Sequence, residues 1–412
     1  MLFINLVFFT LAFVMIVYLI RHYVFTAIVL IYGRGSRQYL NGGGDNRPFV
    51  SVVIPAHNEE EVIGRLLKRI CEFTYPKERL QVLVVDDGST DGTGKTVDEF
   101  ACKYDFIEPL HRKHAVGKAG ALNEALRHVN GEFVYFFDAD YVPDVDYLEN
   151  MNRGFFDLKV GIVQSNIRVL NLDKHVSKVV SLERVGGYRV DQLARDILGL
   201  IPQFGGTAGG VRRSLLESLG GFDEDSLAED TDLTFRVYLA GYKIRYLPDV
   251  GSYEEAVDNW LAYWRQRTRW AKGHMQCAFK YFLPLIRSKN LSFREKLDGF
   301  LLLNIYFVPV LIGFGWLITG LGFILGYSLG TERAALILTL VYFVSGNTAP
   351  LSEVIVGVIL ERRLHLCKYI PMLLVAFVLN VFICTKAFVE ILFWRLRGKQ
   401  RMKWDKTVHK GM

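Results

Sequence analysis

The chain has 412 residues, 51% of them hydrophobic and only 22% charged. That length suits one large domain or two medium ones, and the apolar share excludes a disordered or low-complexity chain. The formal net charge of +6 is mild for this length and lies mostly beside apolar segments, which argues against a nucleic-acid binder. Five scattered cysteines without a CxxC pair argue against a disulfide scaffold or a zinc ribbon and fit a reducing compartment.

In chain order, residues 2–20 form a nearly charge-free run, followed by Arg21 and His22 and a further apolar stretch to residue 32. A helix rising about 1.5 Å per residue needs roughly 20 residues to cross the hydrocarbon core, and this run reaches that length. It is too long for a signal-peptide core, has no basic leader and is followed by no small-residue cleavage site. Three further apolar segments lie at 300–325, 334–360 and 369–393, and none of spanning quality lies between 34 and 296. The pattern predicts a transmembrane helix over 1–32, a linker over 33–48, a soluble domain over 49–275, an interfacial amphipathic segment over 276–299, about three transmembrane helices over 300–394 and a basic tail over 395–412. The glycines at 42–44 follow no strand and precede no helix, so they read as flexible linker and not as a phosphate loop.

Basic residues near the helix ends set the orientation. Arg34, Arg37, Arg47, Arg287, Lys289, Arg294, Lys296, Arg362, Arg363 and Lys368 predict a cytoplasmic soluble domain, with the nearly neutral 326–333 link outside. The basic tail (Arg395, Arg397, Lys399, Arg401, Lys403) conflicts with a third C-terminal crossing, so the last segment reads either as a crossing or as re-entrant or interfacial.

Within the soluble part, 49–54 (FVSVVI) reads as a buried strand stopped by Pro55, 59–72 as a helix and 81–85 (QVLVV) as a second strand. Helices follow at 90–102 and 117–128, and 133–137 (FVYFF) is a third strand. Strands that alternate with helices and read as continuous apolar runs imply a parallel sheet covered on both faces, with ligands beyond the carboxyl ends of the strands. Those ends carry His57-Asn58-Glu59, Asp86-Asp87 and Asp138-Ala139-Asp140, all on one rim.

The rim chemistry is acidic. Asp138 and Asp140 after a strand can hold a hard cation such as Mg²⁺ or Mn²⁺, which takes oxygen ligands and bridges phosphates. Asp86-Asp87-Gly88-Ser89 has the composition of a turn, or of a carboxylate accepting from a base or ribose. Lys118 opens a helix, an unfavourable place for a cation unless a phosphate sits between lysine and dipole. Glu229, Asp230 and Asp232 precede a helix expected over 233–240, and three acids exceed what a cap needs, so one suits a general base. The glycine-rich 204–210 (FGGTAGG) reads as a loop allowing close approach to a ligand. Gln266, Arg269 and Trp270 share one helix face, suited to a phosphate clamp and an aromatic platform.

The motifs VVIPAHNEE, VVDDGSTDGT, GKAGALNEAL, FFDAD, LAEDTDL and QRTRW, in this order over about residues 50–270, resemble those of the family 2 glycosyltransferases. The resemblance is to their membrane-integrated branch, which includes cellulose, hyaluronan, chitin and poly-N-acetylglucosamine synthases. It implies an α/β GT-A fold, with a mostly parallel sheet, flanked by transmembrane helices. Ala56, His57, Glu59 and Asp87 would line the nucleoside of a nucleotide-diphosphate sugar, with Lys118 and Asp138 near its diphosphate and sugar. Asp138 and Asp140 would hold Mg²⁺ or Mn²⁺, Asp230 with neighbouring Glu229 would supply the base, and Gln266, Arg269 and Trp270 would bind diphosphate and acceptor. The family's Thr-Glu-Asp appears as Ala228-Glu229-Asp230, and the glutamate that usually precedes a proline appears as Glu255-Ala256-Val257.

The expected reaction is an inverting transfer, with a UDP-sugar the expected donor, to a growing polysaccharide, forming a β-linkage at the membrane lipid surface. The alternative is single-sugar transfer to a polyprenyl phosphate or glycolipid acceptor. The few C-terminal helices are sparse for a polymer channel, which suggests a homo-oligomer or an accessory membrane subunit. A transporter or scaffold would account for Glu353 and Lys386 in apolar segments but leaves the acidic rim unexplained.

Overall fold

The computed structural model describes residues 2–33, 47–324, 348–396 and 411. Most of the 33–48 linker, the start of the expected 334–360 helix, the 326–333 link and nearly all of the basic tail lie outside the described residues.

Helix α1 (Leu2–Tyr32) precedes the sheet. Strands β1 (Val50–Ala56), β2 (Leu80–Asp86), β3 (Ile107–His111) and β4 (Phe133–Phe136) pair in parallel in the order β3-β2-β1-β4. Burial of β1, β2 and β4 on both faces explains their unbroken apolar sequences. Helices α2 (Glu60–Cys71), α3 (Thr93–Ala101) and α4 (Lys118–Leu126) make the crossovers. In α2 the buried Val62, Ile63, Leu66, Leu67 and Ile70 recur at helical spacing, one apolar stripe laid on the sheet. Strand β1 runs through Pro55 and does not stop before it. Its pairing with β4 ends at Val53↔Phe136, so Pro55 sits where β1 has only β2 beside it, a position that tolerates the lost donor.

The second half adds β5 (Val142–Pro143), α5 (Tyr147–Asn152) and β6 (Val160–Val169). A long helix follows: α6 (His175–Arg184), a π-wound stretch (Val185–Gln192) and α7 (Leu193–Ile197). Strand β7 (Gly209–Arg212) slots antiparallel between β4 and β6, and β8 (Lys243–Glu254) pairs parallel to β6 and antiparallel to β5. The eight-stranded sheet is therefore mixed, not wholly parallel. The last glycines of FGGTAGG belong to β7: a Cβ on Gly210 would lie 2.4 Å from the Tyr135 ring, so the strand closes over that ring only with glycine there.

After α8 (Arg213–Ser218), helix α9 (Glu229–Leu239) starts four residues earlier than the expected 233, placing Glu229, Asp230 and Asp232 inside its first turn. Helix α10 (Trp260–Arg287) runs unbroken past residue 275 and leads to α11 (Phe293–Asn304), which opens with a Ser292/Glu295 capping box. Phe279, Phe282, Leu283, Ile286 and Phe293 are exposed along these two helices, a surface suited to lipid. Then come α12 (Phe307–Ile324), α13 (Thr348–Leu360) and α14 (Ile370–Leu396).

Among the described residues, two stretches, Phe9–Tyr32 and Leu364–Arg395, are long and apolar enough to cross a membrane. The α11–α12 pair, bent by 57°, makes a third if it acts as one span. The final apolar segment is thus a continuous helix of crossing length, which fits a crossing better than a re-entrant loop. These helices pack on the soluble part. Ala271 and Met275 of α10 are buried with Cys384, Ala387 and Ile391 of α14. Arg21 of α1 pairs with Asp191, and Arg195 joins Asp191 (2.6 Å) to Asp298 of α11 (2.5 Å).

Candidate active site

A cavity of about 1350 Å³ opens beyond the carboxyl ends of β1, β2 and β4 and extends to α1, α12 and α14. Ala56, His57, Glu59, Asp87, Lys118, Asp138, Asp140, Glu229, Asp230, Gln266, Arg269 and Trp270 all line it. The sheet order explains the convergence, since three strand ends, the start of α4, the start of α9 and one face of α10 meet there.

At one end Ala56, His57, Glu59 and Asp87 form a polar rim. His57 Nδ1 lies 2.8 Å from the Asp87 carbonyl. The Asp87 carboxylate, 4% exposed, accepts from the Val116 (3.0 Å) and Gly117 (2.9 Å) amides. It therefore fixes the loop that launches Lys118, a role the sequence did not suggest. Gly88, at φ +69°, gives the turn after β2 its left-handed residue, and a Cβ there would lie 2.8 Å from the Ala115 amide.

Lys118 stands at the centre. Its Nζ lies 2.7 Å from Asp138 Oδ1 and 3.5 Å from Glu229 Oε1. Burial opposes the charge, but Asp138 and Glu229 outweigh it and raise the Lys118 pKa, so the ammonium persists. Asp140, 6% exposed, accepts the Glu255 amide at 3.0 Å through Oδ2. Among the described residues no three His, Cys, Asp or Glu side chains group as a metal site. A pair of carboxylates fits a cation that completes its shell with water and phosphate oxygens, the usual Mg²⁺ arrangement.

Asp230 lies in the first turn of α9, where its Oδ1 accepts the Thr231 amide at 2.6 Å. Burial raises its pKa against the Thr231 bonds and the Lys118 and Arg269 charges, and burial likewise raises that of Glu229 against Lys118. A carboxylate of raised basicity in a cavity is a proton acceptor in waiting. The third acid does other work. Asp232 is fully buried and takes bonds from Lys280 (2.5 Å), Tyr281 (2.6 Å) and Arg236 (2.7 Å), tying α9 to α10. The two helices touch closely: a Cβ on Gly273 would lie 2.7 Å from the Ala228 Cβ. The small Ala228, where the resemblance expected threonine, therefore faces a glycine.

On α10, Gln266, Arg269 and Trp270 turn one face to the cavity, as their spacing predicted. The Trp270 ring has the Arg267 guanidinium 4.1 Å and the Arg184 guanidinium 5.1 Å from its centroid. Arg184 is held in turn by both Glu254 oxygens at 2.6 and 2.9 Å. Sequence reasoning missed Arg184, Tyr188, Glu254 and His274, which also line the cavity. Burial brings the His274 pKa down to about 4, so the ring is neutral, stacked on Tyr306 at 4.5 Å. The signal available was the polar set Glu183, Arg184, Tyr188, Asp191 and Gln192, recurring at helical spacing between buried valines and leucines.

The sequence pattern described as "Glycosyl transferase family 2" matches residues 51–220. A probable glycosyltransferase of Bacillus subtilis (strain 168), YdaM, is 34% identical over 373 residues, covering 87% of this chain and 86% of that protein. A beta-monoglucosyldiacylglycerol synthase of Nostoc sp. (strain PCC 7120 / SAG 25.82 / UTEX 2576) is 34% identical over 286 residues, 69% of this chain, and the match spans 61% of that synthase. Among solved structures, a mannosyltransferase from Pyrobaculum calidifontis in complex with GDP-Man and Mn²⁺ aligns with a TM-score of 0.57 at 26% identity, over 85% of this chain and 98% of that one. The fold is thus that of the GT-A enzymes, and the chain belongs to glycosyl transferase family 2.

Proposed function

We propose that the protein transfers a sugar, with inversion, from a nucleotide-diphosphate sugar to an acceptor at the membrane. The observation that carries this reading is the single cavity joining Lys118, Asp138, Asp140, Asp230 and the QRTRW face. Asp230 takes the proton of an acceptor hydroxyl as that oxygen attacks the anomeric carbon in line. The bond from that carbon to the diphosphate oxygen breaks, and the electron pair leaves with the nucleoside diphosphate. An α-linked donor then gives a β-linkage. Lys118 and Arg269 place positive charge where the leaving group becomes more negative. Asp138 and Asp140 would hold Mg²⁺ or Mn²⁺, which would neutralise further diphosphate charge when bound. His57, Glu59 and Asp87 at the far rim suit the nucleoside.

The QRTRW box supports a growing polysaccharide as acceptor. A second reading, a lipid acceptor, has its own support. The cavity's other end is lined by Leu19, Ile312, Trp316, Phe377 and Val378, side chains suited to an acyl or isoprenoid chain. Arg287, Lys289, Arg294 and Lys296 near α11, with Arg362, Arg363 and Lys368 before α14, support a cytoplasmic catalytic domain. Product mass tests the choice. A ladder of oligomers supports the polymer, and one sugar on a lipid supports the second reading. Absence of any glycosylated product across UDP- and GDP-sugars with Mg²⁺ or Mn²⁺ and total membrane lipid sinks both.

A further inference from the structure

The helix His175–Ile197 carries none of the sequence motifs, yet it forms a wall of the cavity. Over Val185–Gln192 it is π-wound, a widening that often marks functional sites. Tyr188 sits in that stretch, 8% exposed, lining the cavity, with its ring 6.3 Å from that of Tyr246 and 5.7 Å from the Arg184 guanidinium. Its hydroxyl has no hydrogen-bond partner among the described residues. Neighbouring buried tyrosines differ: the hydroxyls of Tyr141, Tyr147 and Tyr263 donate to Glu254, Ser165 and Glu183. Tyr246 also lacks a partner, but it is sealed in the core and does not reach the cavity.

The glycine loop fixes where the Tyr188 hydroxyl is. A Cβ on Gly205 would lie 2.7 Å from Tyr188 Oη, and a Cβ on Gly206 would lie 3.1 Å from Asp230 Cβ and 3.4 Å from its Oδ2. Consecutive Cα atoms are about 3.8 Å apart, so Tyr188 Oη and the Asp230 carboxylate flank neighbouring residues of one loop. Arg184 lies against both Tyr188 and Trp270, which places Tyr188 beside the aromatic ring of the QRTRW box.

We propose that Tyr188 is a binding residue for the acceptor: its hydroxyl donates to an oxygen of a polyhydroxyl head, such as a sugar or glycerol group, beside the hydroxyl that Asp230 deprotonates. The inference rests on the glycosyl-transfer reading and adds to it the acceptor subsite. A phenol suits this role because it both donates and accepts and matches a neutral hydroxyl. Burial raises its pKa further, which keeps the proton in place at working pH.

The test uses the full chain in detergent, with UDP-glucose, UDP-N-acetylglucosamine or GDP-mannose and Mn²⁺, and with glucosyldiacylglycerol mixed micelles or cello-oligosaccharides as acceptor probes. Nucleotide release is measured with and without acceptor. Tyr188→Phe should raise the acceptor KM by about fivefold, the order expected for one neutral hydrogen bond, and leave the donor KM of acceptor-free hydrolysis unchanged. Gly205→Ala, whose methyl meets Oη, should give the same acceptor defect and add nothing in a Tyr188→Phe background, because the colliding atom is gone. An unchanged acceptor KM in Tyr188→Phe, or an equal rise in donor KM, overturns the subsite while glycosyl transfer stands. A wild-type protein that turns over none of these donors overturns the underlying reading and the subsite with it.

Discussion

Lys118 Nζ lies 2.7 Å from Asp138 Oδ1, so the first carboxylate of Asp-Ala-Asp is neutralised by the residue that opens α4. The contact joins two motifs separated by twenty positions, and in the proposed reaction both groups face the donor diphosphate. A charged hydrogen bond is worth about 1.5–3 kcal/mol, so Lys118→Met should raise the donor KM by roughly 10-fold or more. Titration with the nucleoside diphosphate alone checks it, and unchanged affinity would remove Lys118 from the donor site.

The pH profile should carry the mark of a buried base. Burial raises the Asp230 pKa, with Glu229, Lys118 and Arg269 as the charged groups facing it. The base works only when ionised, so kcat/KM should fall on the acid side at a pH above about 3.9, the ordinary aspartate value. Removing the Lys118 cation should move that limb higher still. A rate that stays flat down to pH 4 contradicts the assignment.

Helices α9 and α10 meet where Gly273 faces Ala228. A Cβ on Gly273 would lie 2.7 Å from Ala228 Cβ and 2.9 Å from its amide nitrogen, and backbone cannot yield cheaply. Gly273→Ala should shift α10 against the turn bearing Asp230. Misplacement by about 1 Å can cost on the order of 10²-fold in rate, so kcat should drop at least roughly tenfold with donor affinity little changed. A wild-type kcat in this variant would show that the contact does not set the geometry.

Much of the site was legible because short polar clusters end apolar strands, and a strand's end is a place in space as well as in sequence. His57, Asp87, Asp138 and Asp140 could be placed on one rim from that rule alone. Asp230 and Trp270 depended on resemblance, since nothing local says that α9 and α10 close over the rim. The antiparallel entry of β7 was not legible, because it depends on Gly210 passing the Tyr135 ring, a contact between distant residues. Nor was the continuation of β1 through Pro55, which depends on where β4 stops pairing. Tyr188 carried no motif; a π-wound helix and a hydroxyl without a hydrogen-bond partner among the described residues single it out.

The link between membrane helices and catalytic domain also makes a prediction. Arg195, 1% exposed, bonds Asp191, Asp298 and the Ile201 carbonyl, while Arg21 of α1 reaches the same Asp191. Arg195→Met leaves carboxylates without their cation, at a cost of about 3–5 kcal/mol. Its Tm in detergent should fall by at least about 5 °C. Arg195→Lys should not restore it, because one ammonium lacks the guanidinium's planar, several-pronged donor geometry. A Tm equal to wild type in Arg195→Met would refute the bracing role.

The most direct measurement compares wild-type and Asp230→Asn full-length protein for nucleotide release and product mass, with the UDP- and GDP-sugar panel, Mn²⁺ and total membrane lipid. The wild type should release nucleotide and give a glycosylated product of inverted anomeric configuration, and Asp230→Asn should lose at least roughly 10²-fold in rate. Near-native turnover in Asp230→Asn, or a retained anomeric configuration in the product, contradicts this mechanism.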